Sequence, residues 1–256
     1  MAGCDNALKT RKKLISPDGI IHGVTDYGSM TDIRIENEVK LISAGGPFAF
    51  TAEDSAKAVS YMRGMVAGAG ITAGEPRFHR ITDDYYTDTK DYLKSQGITI
   101  RYRVRDGWKH TITFKQPYFQ TGMGLSRREI ETELFPTDTF DRMAAFYDHL
   151  DKYLGEDVVL DPIPKVSDDI LRMRFDLSSE VRKYTLSFDK IVYRDQRSGK
   201  RTLPGYELEI ESMDVPIAED RSLKKLINML TDTGLFREER VSKYARGRSW
   251  VDSLSG

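Results

Sequence analysis

Residues 35–41 read Ile35-Glu-Asn-Glu-Val-Lys-Leu41, a segment in which apolar and charged side chains alternate. Successive side chains of a β-strand point to opposite faces, so the charged Glu36, Glu38 and Lys40 share one face. The apolar side chains take the other face. This period of two predicts a strand at about 33–42 with one charged and one apolar surface.

The same alternation returns in seven later segments of the chain. They lie at about 79–87, 98–105, 108–116, 126–134, 169–176, 182–193 and 205–213. Most of them follow one another as the strands of hairpins do, and only three helical patterns come between them. Such an order is typical of an antiparallel sheet. The sequence therefore predicts a mainly β protein of the α+β class, with an antiparallel sheet that is open or closed.

Three segments have apolar residues at helical spacing. The first follows Thr51 and Asp54, which resemble a capping box. The second ends near Gly155, a residue type that suits the position after a helix. The third runs from Ala218 to near Gly234. We expect the apolar stripes of these helices to pack on the apolar side of the sheet.

Charges on the predicted strands are sorted by sign, with Glu-x-Glu on three strands and Arg-x-Arg on two. The sorted positions are Glu36, Glu38, Arg101, Arg103, Arg127, Glu129, Glu131, Glu133, Arg172, Arg174, Glu207, Glu209 and Glu211. An ordinary solvated sheet face is the alternative. Rows of like charge repel, however, and a ligand of opposite sign relieves the repulsion. Carboxylates favour a divalent cation and basic side chains favour phosphate, so the pattern predicts a metal-bound polyphosphate.

Composition excludes several classes of protein. The formal net charge of −1 over 256 residues gives no general attraction to nucleic acid. A single cysteine, Cys4, cannot form an internal disulfide or a cysteine-based zinc site. No window approaches the ~20 apolar residues of a membrane helix, and the first residues lack the apolar core of a signal peptide. We expect a cytoplasmic protein without membrane contact.

Seven segments, in order, resemble the CYTH superfamily, the triphosphate tunnel metalloenzymes. These segments are Ile35–Leu41 (Glu-x-Glu-x-Lys), Asp84–Thr89 (Tyr-Phe-Asp-Thr), Ile100–Val104 (Leu-Arg-x-Arg), Thr113–Lys115 (Thr-x-Lys), Arg127–Glu133 (Arg-x-Glu-x-Glu), Tyr206–Glu211 (the late acidic strand) and Ser242–Ala245 (Ser-Lys-Tyr). The resemblance spans about residues 33–247. One departure is the pair Arg172 and Arg174, where Lys-x-Arg is common.

The resemblance implies a closed eight-stranded antiparallel barrel, with helices outside, that binds a triphosphate with Mg²⁺ or Mn²⁺ in its tunnel. It implies that the metal ligands are Glu36, Glu38, Glu209 and Glu211. The phosphate-binding set that it implies is Lys40, Arg101, Arg103, Lys115, Arg127, Arg172, Arg174, Lys183 and Lys243. The catalytic set that it implies is Glu36, Glu38, Lys40, Glu129, Glu131 and Asp189. On this view residues 1–30 are a partly flexible extension, 31–250 the tunnel domain and 251–256 a tail.

The activity implied is that of a divalent-metal-dependent triphosphatase, a hydrolase that releases orthophosphate from tripolyphosphate or a nucleoside triphosphate. Three alternatives stay open: a class IV-type adenylyl cyclase that makes cyclic AMP and pyrophosphate, an RNA 5′-triphosphatase, and a non-catalytic module that binds polyphosphate. The expected partner is a small-molecule triphosphate, with nucleic acid only as an RNA 5′-triphosphate end. The oligomeric state is left open.

The turn between the third and fourth predicted strands bears on the phosphate site. A two-residue turn at Asp106-Gly107 would place Lys115 and Arg101 on opposite faces of the sheet. A three-residue loop over Arg105–Gly107, with glycine in the left-handed region, pairs Arg101 with Thr111 and brings Lys115 onto the arginine face. We predict the three-residue loop.

Overall fold

The computed structural model describes residues 27–43, 52–117, 119–121, 124–136, 141–153, 158–179, 182–213 and 220–254. Within these ranges the chain forms eleven strands and five helices. The strands are β1 (Tyr27–Ser43), β2 (Thr72–Ala73), β3 (Arg77–Tyr86), β4 (Thr99–Arg105), β5 (Lys109–Lys115), β6 (Phe119–Thr121), β7 (Gly124–Pro136), β8 (Val166–Ser178), β9 (Lys183–Arg194), β10 (Gly205–Met213) and β11 (Phe236–Glu238). The helices are α1 (Ala52–Gly68), α2 (Tyr92–Ser95), α3 (Arg142–Tyr153), α4 (Arg221–Asp232) and α5 (Lys243–Ser253).

Eight of these strands close into an antiparallel barrel. Around the barrel the order is β1-β10-β9-β8-β3-β4-β5-β7, and β7 pairs with β1 to complete the circle. The short strands β2, β6 and β11 add to β8, β7 and β1 respectively. The prediction of a closed eight-stranded barrel with helices outside is confirmed. The first strand is longer than predicted, because it begins at Tyr27.

Two apolar layers cover the barrel from outside. Helices α1 and α4 pack on β1, β8, β9 and β10, where Met62, Leu226 and Phe188 are buried. Helix α3 packs on β4, β5 and β7 through Phe146 and Ile112. Burial of each such side chain contributes about 1.5–3 kcal/mol to the stability of the fold, so the apolar strand faces form the core. The charged faces consequently point into the interior of the barrel, which we call the lumen.

The β4–β5 hairpin has a three-residue loop, but its position differs from the prediction. Arg105 pairs with Lys109 and Arg101 pairs with Thr113, so the loop is Asp106–Trp108. The predicted placement over Arg105–Gly107, with Arg101 opposite Thr111, was wrong by one residue along the chain. Thr99 pairs with Lys115, and the predicted sharing of one face by Lys115 and Arg101 is confirmed.

The reason for the shift lies in contacts of Asp106 with β3. The backbone N–H of Asp106 donates to the Arg80 carbonyl at 2.7 Å, and its carboxylate accepts from the Arg80 N–H at 2.9 Å and contacts His79 at 2.7 Å. These contacts stabilise the left-handed conformation of Asp106 (φ 55), and Gly107 follows with φ 79. A tertiary contact therefore selects the loop position.

Helix α5 was not predicted from the sequence, because few of its residues are apolar and they form no stripe. It begins at Ser242, whose hydroxyl accepts a hydrogen bond from the Ala245 N–H at 3.1 Å. The helix packs on β8 and β9. Its Gly247 lies so close that an added Cβ would be 2.7 Å from the Tyr193 ring. The approach requires glycine and carries Lys243 to the lumen.

The three predicted helices correspond to α1, α3 and α4. Three of the residues used to place their ends, Thr51, Gly155 and Ala218, lie outside the described residues. In the part of the chain that the structure describes, no helix is long and apolar enough to cross a membrane.

Candidate functional site

A cavity of about 180 Å³ lies in the lumen and is lined largely by charged side chains. The lining includes thirteen of the predicted site residues: Glu36, Lys40, Arg101, Arg103, Lys115, Arg127, Glu129, Glu131, Arg172, Arg174, Glu209, Glu211 and Lys243. Of the other three, Glu38 and Asp189 are buried beside the cavity, and Lys183 is exposed at the beginning of β9. The barrel thus brings most of the predicted residues into one space.

One group of carboxylates, the β1 group, consists of Glu36, Glu38 and Glu211. Strands β1 and β10 pair so that Glu38 lies directly opposite Glu211, and Glu36 is the next residue on the same face of β1. One oxygen from each of the three carboxylates lies within 4.8 Å of the other two. Strand register therefore creates this convergence.

The three carboxylates of the β1 group differ in their partners. Glu36 is paired with Arg127 at 2.8 Å and with Lys115 at 3.2 Å. Burial raises the pKa of Glu36, but these two cations outweigh it and hold the pKa well below its usual value. Burial, together with Glu36 and Glu209, raises the pKa of Glu211 to about 7. No Lys or Arg among the described residues lies within 4.0 Å of the Glu211 carboxylate.

A second group of carboxylates, the α5 group, consists of Asp189, Glu207 and Glu209. The Lys243 ammonium at the start of α5 lies within 3.0, 2.7 and 2.7 Å of them, in that order. Burial lowers the pKa of Lys243, but the carboxylates outweigh it and the pKa is raised well above its usual value. The group is thus built around a cation from the chain itself.

Arg172 adds a second cation to the α5 group. Its guanidinium donates two hydrogen bonds to Asp189, each of 2.7 Å, and one of 2.9 Å to Glu209. The resemblance placed Glu209 among the metal ligands, and the structure places it here, separate from the β1 group. Glu207 was noticed only as part of the acidic row of β10 and was not among the predicted site residues.

Asp83 is a lumenal residue that was not among the predicted site residues. Its carboxylate accepts two hydrogen bonds of 2.6 Å from Arg103 and lies 3.6 Å from Arg101. Burial raises the pKa of Asp83, but the two arginines outweigh it and hold the pKa below its usual value. Strand alternation could have found Asp83, since it shares the inward face of β3 with Ile81 and Tyr85.

The carboxylates of β7 neutralise the remaining cations. Glu129 lies 3.2 Å from Lys115 and 3.5 Å from Arg34, and Glu131 lies 3.8 Å from Arg101. Arg34 was not predicted as a site residue, although it lies two positions before Glu36 on the same face of β1. The lumen is a lattice of buried ion pairs, whose cations could exchange a carboxylate for a phosphate.

Further basic groups extend this lattice towards both acidic groups. The Lys40 ammonium donates to Glu38 at 2.5 Å. Arg174 donates to the Thr185 hydroxyl at 3.1 Å. Burial lowers the pKa of Arg174, because Glu211 and Asp176 only partly offset the lost hydration. A chain of phosphate groups along the lumen would therefore meet cations over much of its length.

Comparison with known families identifies this arrangement. The sequence model of the CYTH domain matches residues 57–246. The chain belongs to the CYTH family. This confirms the family resemblance drawn from the seven segments. Among curated protein sequences, none gives a significant match to the chain.

Solved structures similar to this CYTH chain share little sequence with it. HpAC1 from Hippeastrum, a candidate adenylyl cyclase that reveals a dominant triphosphatase activity, is 16% identical over 84% of this chain and 95% of that one, with a TM-score of 0.49. A candidate adenylate cyclase from Bacillus halodurans is 17% identical over 84% and 97%, with a TM-score of 0.43. The Pct1 RNA triphosphatase of S. pombe is 11% identical over 79% and 78%, with a TM-score of 0.29.

The β1 group of this CYTH protein fits a divalent cation. Three carboxylates supply the hard oxygen donors that Mg²⁺ and Mn²⁺ prefer. Burial, together with the charges of Glu36 and Glu209, raises the pKa of Glu211, so a cation bound beside this carboxylate would offset an unfavourable negative charge. The α5 group fits less well, because Lys243 already lies among its carboxylates.

Proposed function

We propose that this CYTH protein is a metal-dependent triphosphatase that hydrolyses a triphosphate moiety in its lumen and releases orthophosphate. The observation that carries the proposal is that Glu36 and Glu211 of the β1 group line the same cavity as Lys40, Arg101 and Lys115. An acidic site for a cation and a basic site for phosphates are both needed to bind a metal–polyphosphate complex.

The metal site assigned by this proposal is Glu36, Glu38 and Glu211, and Glu209 is assigned to the α5 group. When bound there, Mg²⁺ or Mn²⁺ would neutralise phosphate oxygens and polarise the phosphorus centre. The cation would also stabilise the ionised carboxylates, because it replaces their mutual repulsion by attraction. This stabilisation should be largest for Glu211, because burial and nearby carboxylates raise its pKa.

The basic residues bind the phosphate chain in this proposal. Lys40, Arg101, Lys115, Arg127 and Arg172 each exchange a carboxylate partner for phosphate oxygens and neutralise the charge that builds up in the transition state. Because ion pairs already hold these basic side chains inside the barrel, they need little reorganisation when the substrate enters. Asp189 acts on substrate indirectly by orienting Arg172 and Lys243.

Hydrolysis requires a water molecule in line with the terminal phosphorus. The Glu129 carboxylate, held by Lys115 and Arg34, is the group that we assign to orient this water and accept its proton. The water oxygen forms a bond to the terminal phosphorus as the bridging P–O bond breaks. A shortened phosphate chain and orthophosphate are released.

Product analysis tests the proposal. We expect tripolyphosphate and ATP, each with Mg²⁺ or Mn²⁺, to yield orthophosphate, and we expect Glu211→Gln to lower turnover by about a hundredfold or more. Glu75→Gln is the matched control, because Glu75 is exposed and pairs only with Arg63 among the described residues. Pyrophosphate with cyclic AMP as the product would instead indicate a cyclase. Tight binding without any product would indicate a non-catalytic module.

A further inference from the structure

Asp83 and Asp168 lie directly opposite each other on β3 and β8, and both are fully buried. Apolar side chains flank this pair along both strands. On one side of the pair, Ile81 and Ile170 lie opposite each other and pack with Ile191. On the other side, Tyr85 and Val166 lie opposite each other and pack with Val251 of α5. These apolar side chains exclude the water that would otherwise solvate a charge on either carboxyl group.

The two carboxyl groups have very different partners. Both oxygens of Asp83 accept hydrogen bonds from Arg103, and one of them also lies 3.6 Å from Arg101. Neither oxygen of Asp168 has a hydrogen-bond partner among the described residues. An ionised carboxylate in that position would lack both solvent and a hydrogen-bond donor, which is very costly.

We propose that Asp168 is a positioning residue: it is the uncharged, proton-bearing member of a buried carboxyl pair whose charged member, Asp83, holds Arg101 and Arg103 in the lumen. Two ionised carboxylates that close to each other repel strongly without water between them. The proton therefore stays on the member without guanidinium partners. Asp83 keeps a full charge, and both arginines stay at fixed positions for phosphate.

Charged and titratable groups face Asp168 from every element around it. They are Asp83 and Tyr85 of β3, Arg101 and Arg103 of β4, Tyr193 of β9 and Lys243 of α5. Burial, and then the charge of Asp83, raises the pKa of Asp168 well above its usual value, and the three cations only partly oppose this. Two of those cations are bound to Asp83, and Lys243 is bound to the α5 group.

The pH dependence of stability tests this without any substrate. Asp168 holds its proton more tightly folded than unfolded, so its contribution to stability is complete below a pH of about 4 and is lost as the pH rises through the folded pKa. Asp168→Asn removes that loss. We expect the melting temperature of D168N, relative to wild type, to rise with pH by on the order of 3 °C for each pH unit.

Asp169→Asn is the matched control, since Asp169 is the next residue, faces the other side of β8 and pairs with exposed Arg201 at 3.7 Å. Its melting temperature relative to wild type should not change with pH between about 5 and 9. A D168N difference that is equally flat, or that falls with pH, means that Asp168 is ionised and overturns the proposal.

Carbon-13 NMR of aspartate-labelled wild-type protein provides a direct second measurement. The Asp168 carboxyl signal, assigned by its loss in D168N, should keep the chemical shift of a protonated acid at pH 7. The shift of an ionised carboxylate at that pH would contradict the proposal. This arm uses the native chain and does not depend on whether a variant folds well.

Kinetics then test the link to phosphate binding, which rests on the proposed function. Asp83→Asn frees the two arginines, and we expect KM for tripolyphosphate with Mg²⁺ to rise about tenfold with a smaller change in kcat. An unchanged KM would show that the pair is structural only and would overturn the positioning role. If no variant and no wild-type sample hydrolyses tripolyphosphate, the proposed function fails, but the melting and NMR results still decide the protonation of Asp168.

Discussion

The β1 group and the α5 group each gather three carboxylates, and they differ in the cations around them. In the α5 group, Lys243 contacts all three carboxylates and Arg172 contacts two of them. In the β1 group, the basic partners contact Glu36 and Glu38, and burial with nearby carboxylates raises the pKa of Glu211 to about 7. Clustered carboxylates therefore do not define a metal site by themselves.

Removing Lys243 should make the two groups alike, and it carries the largest expected effect on stability. Lys243→Ala leaves three buried carboxylates short of their cation, which should cost about 3–5 kcal/mol of unfolding free energy in the absence of metal. Mn²⁺ should restore part of that stability in the variant by binding to the α5 group. Thermal melts with and without Mn²⁺ measure this. A K243A melt that is insensitive to Mn²⁺ beyond the wild-type response would refute the explanation.

Neutralising one carboxylate in each group should separate their roles. Glu38→Gln should weaken Mn²⁺ binding about 10–100-fold, because it removes one of the proposed metal ligands of the β1 group. Glu207→Gln should leave Mn²⁺ affinity within about threefold of wild type, because Glu207 already pairs with Lys243 and Arg246. Isothermal titration calorimetry compares the two variants. Equal losses in both would mean that the groups act as one site.

Helix α5 supplies the difference between the groups, so loosening it should have a smaller but related effect. Gly247→Ala places a methyl group about where the ring of Tyr193 and the side chain of Val166 lie. We expect a loss of about 1–3 kcal/mol in unfolding free energy, measured in urea. Gly64→Ala is the control, since nothing lies within 4 Å of its added Cβ and alanine favours helix. An unfolding free energy of G247A equal to that of wild type would show that α5 is not closely packed against the barrel at this position.

Much of the fold could be predicted because it depends on local patterns. The alternation in β1 and β10 reports which side chains share a face, whatever strand lies alongside. Helices α1, α3 and α4 have apolar stripes, and so they could also be predicted. Helix α5 could not, because its stability comes from the Ser242 cap and from contact with β8 and β9.

The candidate site was predicted less completely. The family resemblance implied that Glu209 and Glu211 bind the metal together with Glu36 and Glu38. The β1–β10 register puts Glu211 opposite Glu38 and Glu209 opposite Lys40. Asp83 was not predicted: strand alternation could have placed it on the inward face of β3, but its ion pair with Arg103 depends on β4 lying alongside. Residues 1–26 lie outside the described part of the chain, so the predicted extension stays a prediction.

The amino-acid sequence by itself determined the eight strands of the barrel, the face to which their charges belong and the family. These features depend on the alternation of apolar and charged residues and on short motifs, both of which are set by residues close together in the chain. Only the tertiary structure decided which carboxylates meet, which of them receive Lys243, and where Asp168 lies without a partner. Those outcomes depend on strand order, on register and on helix packing between residues that are far apart in the chain, and local alternation carries no information about them.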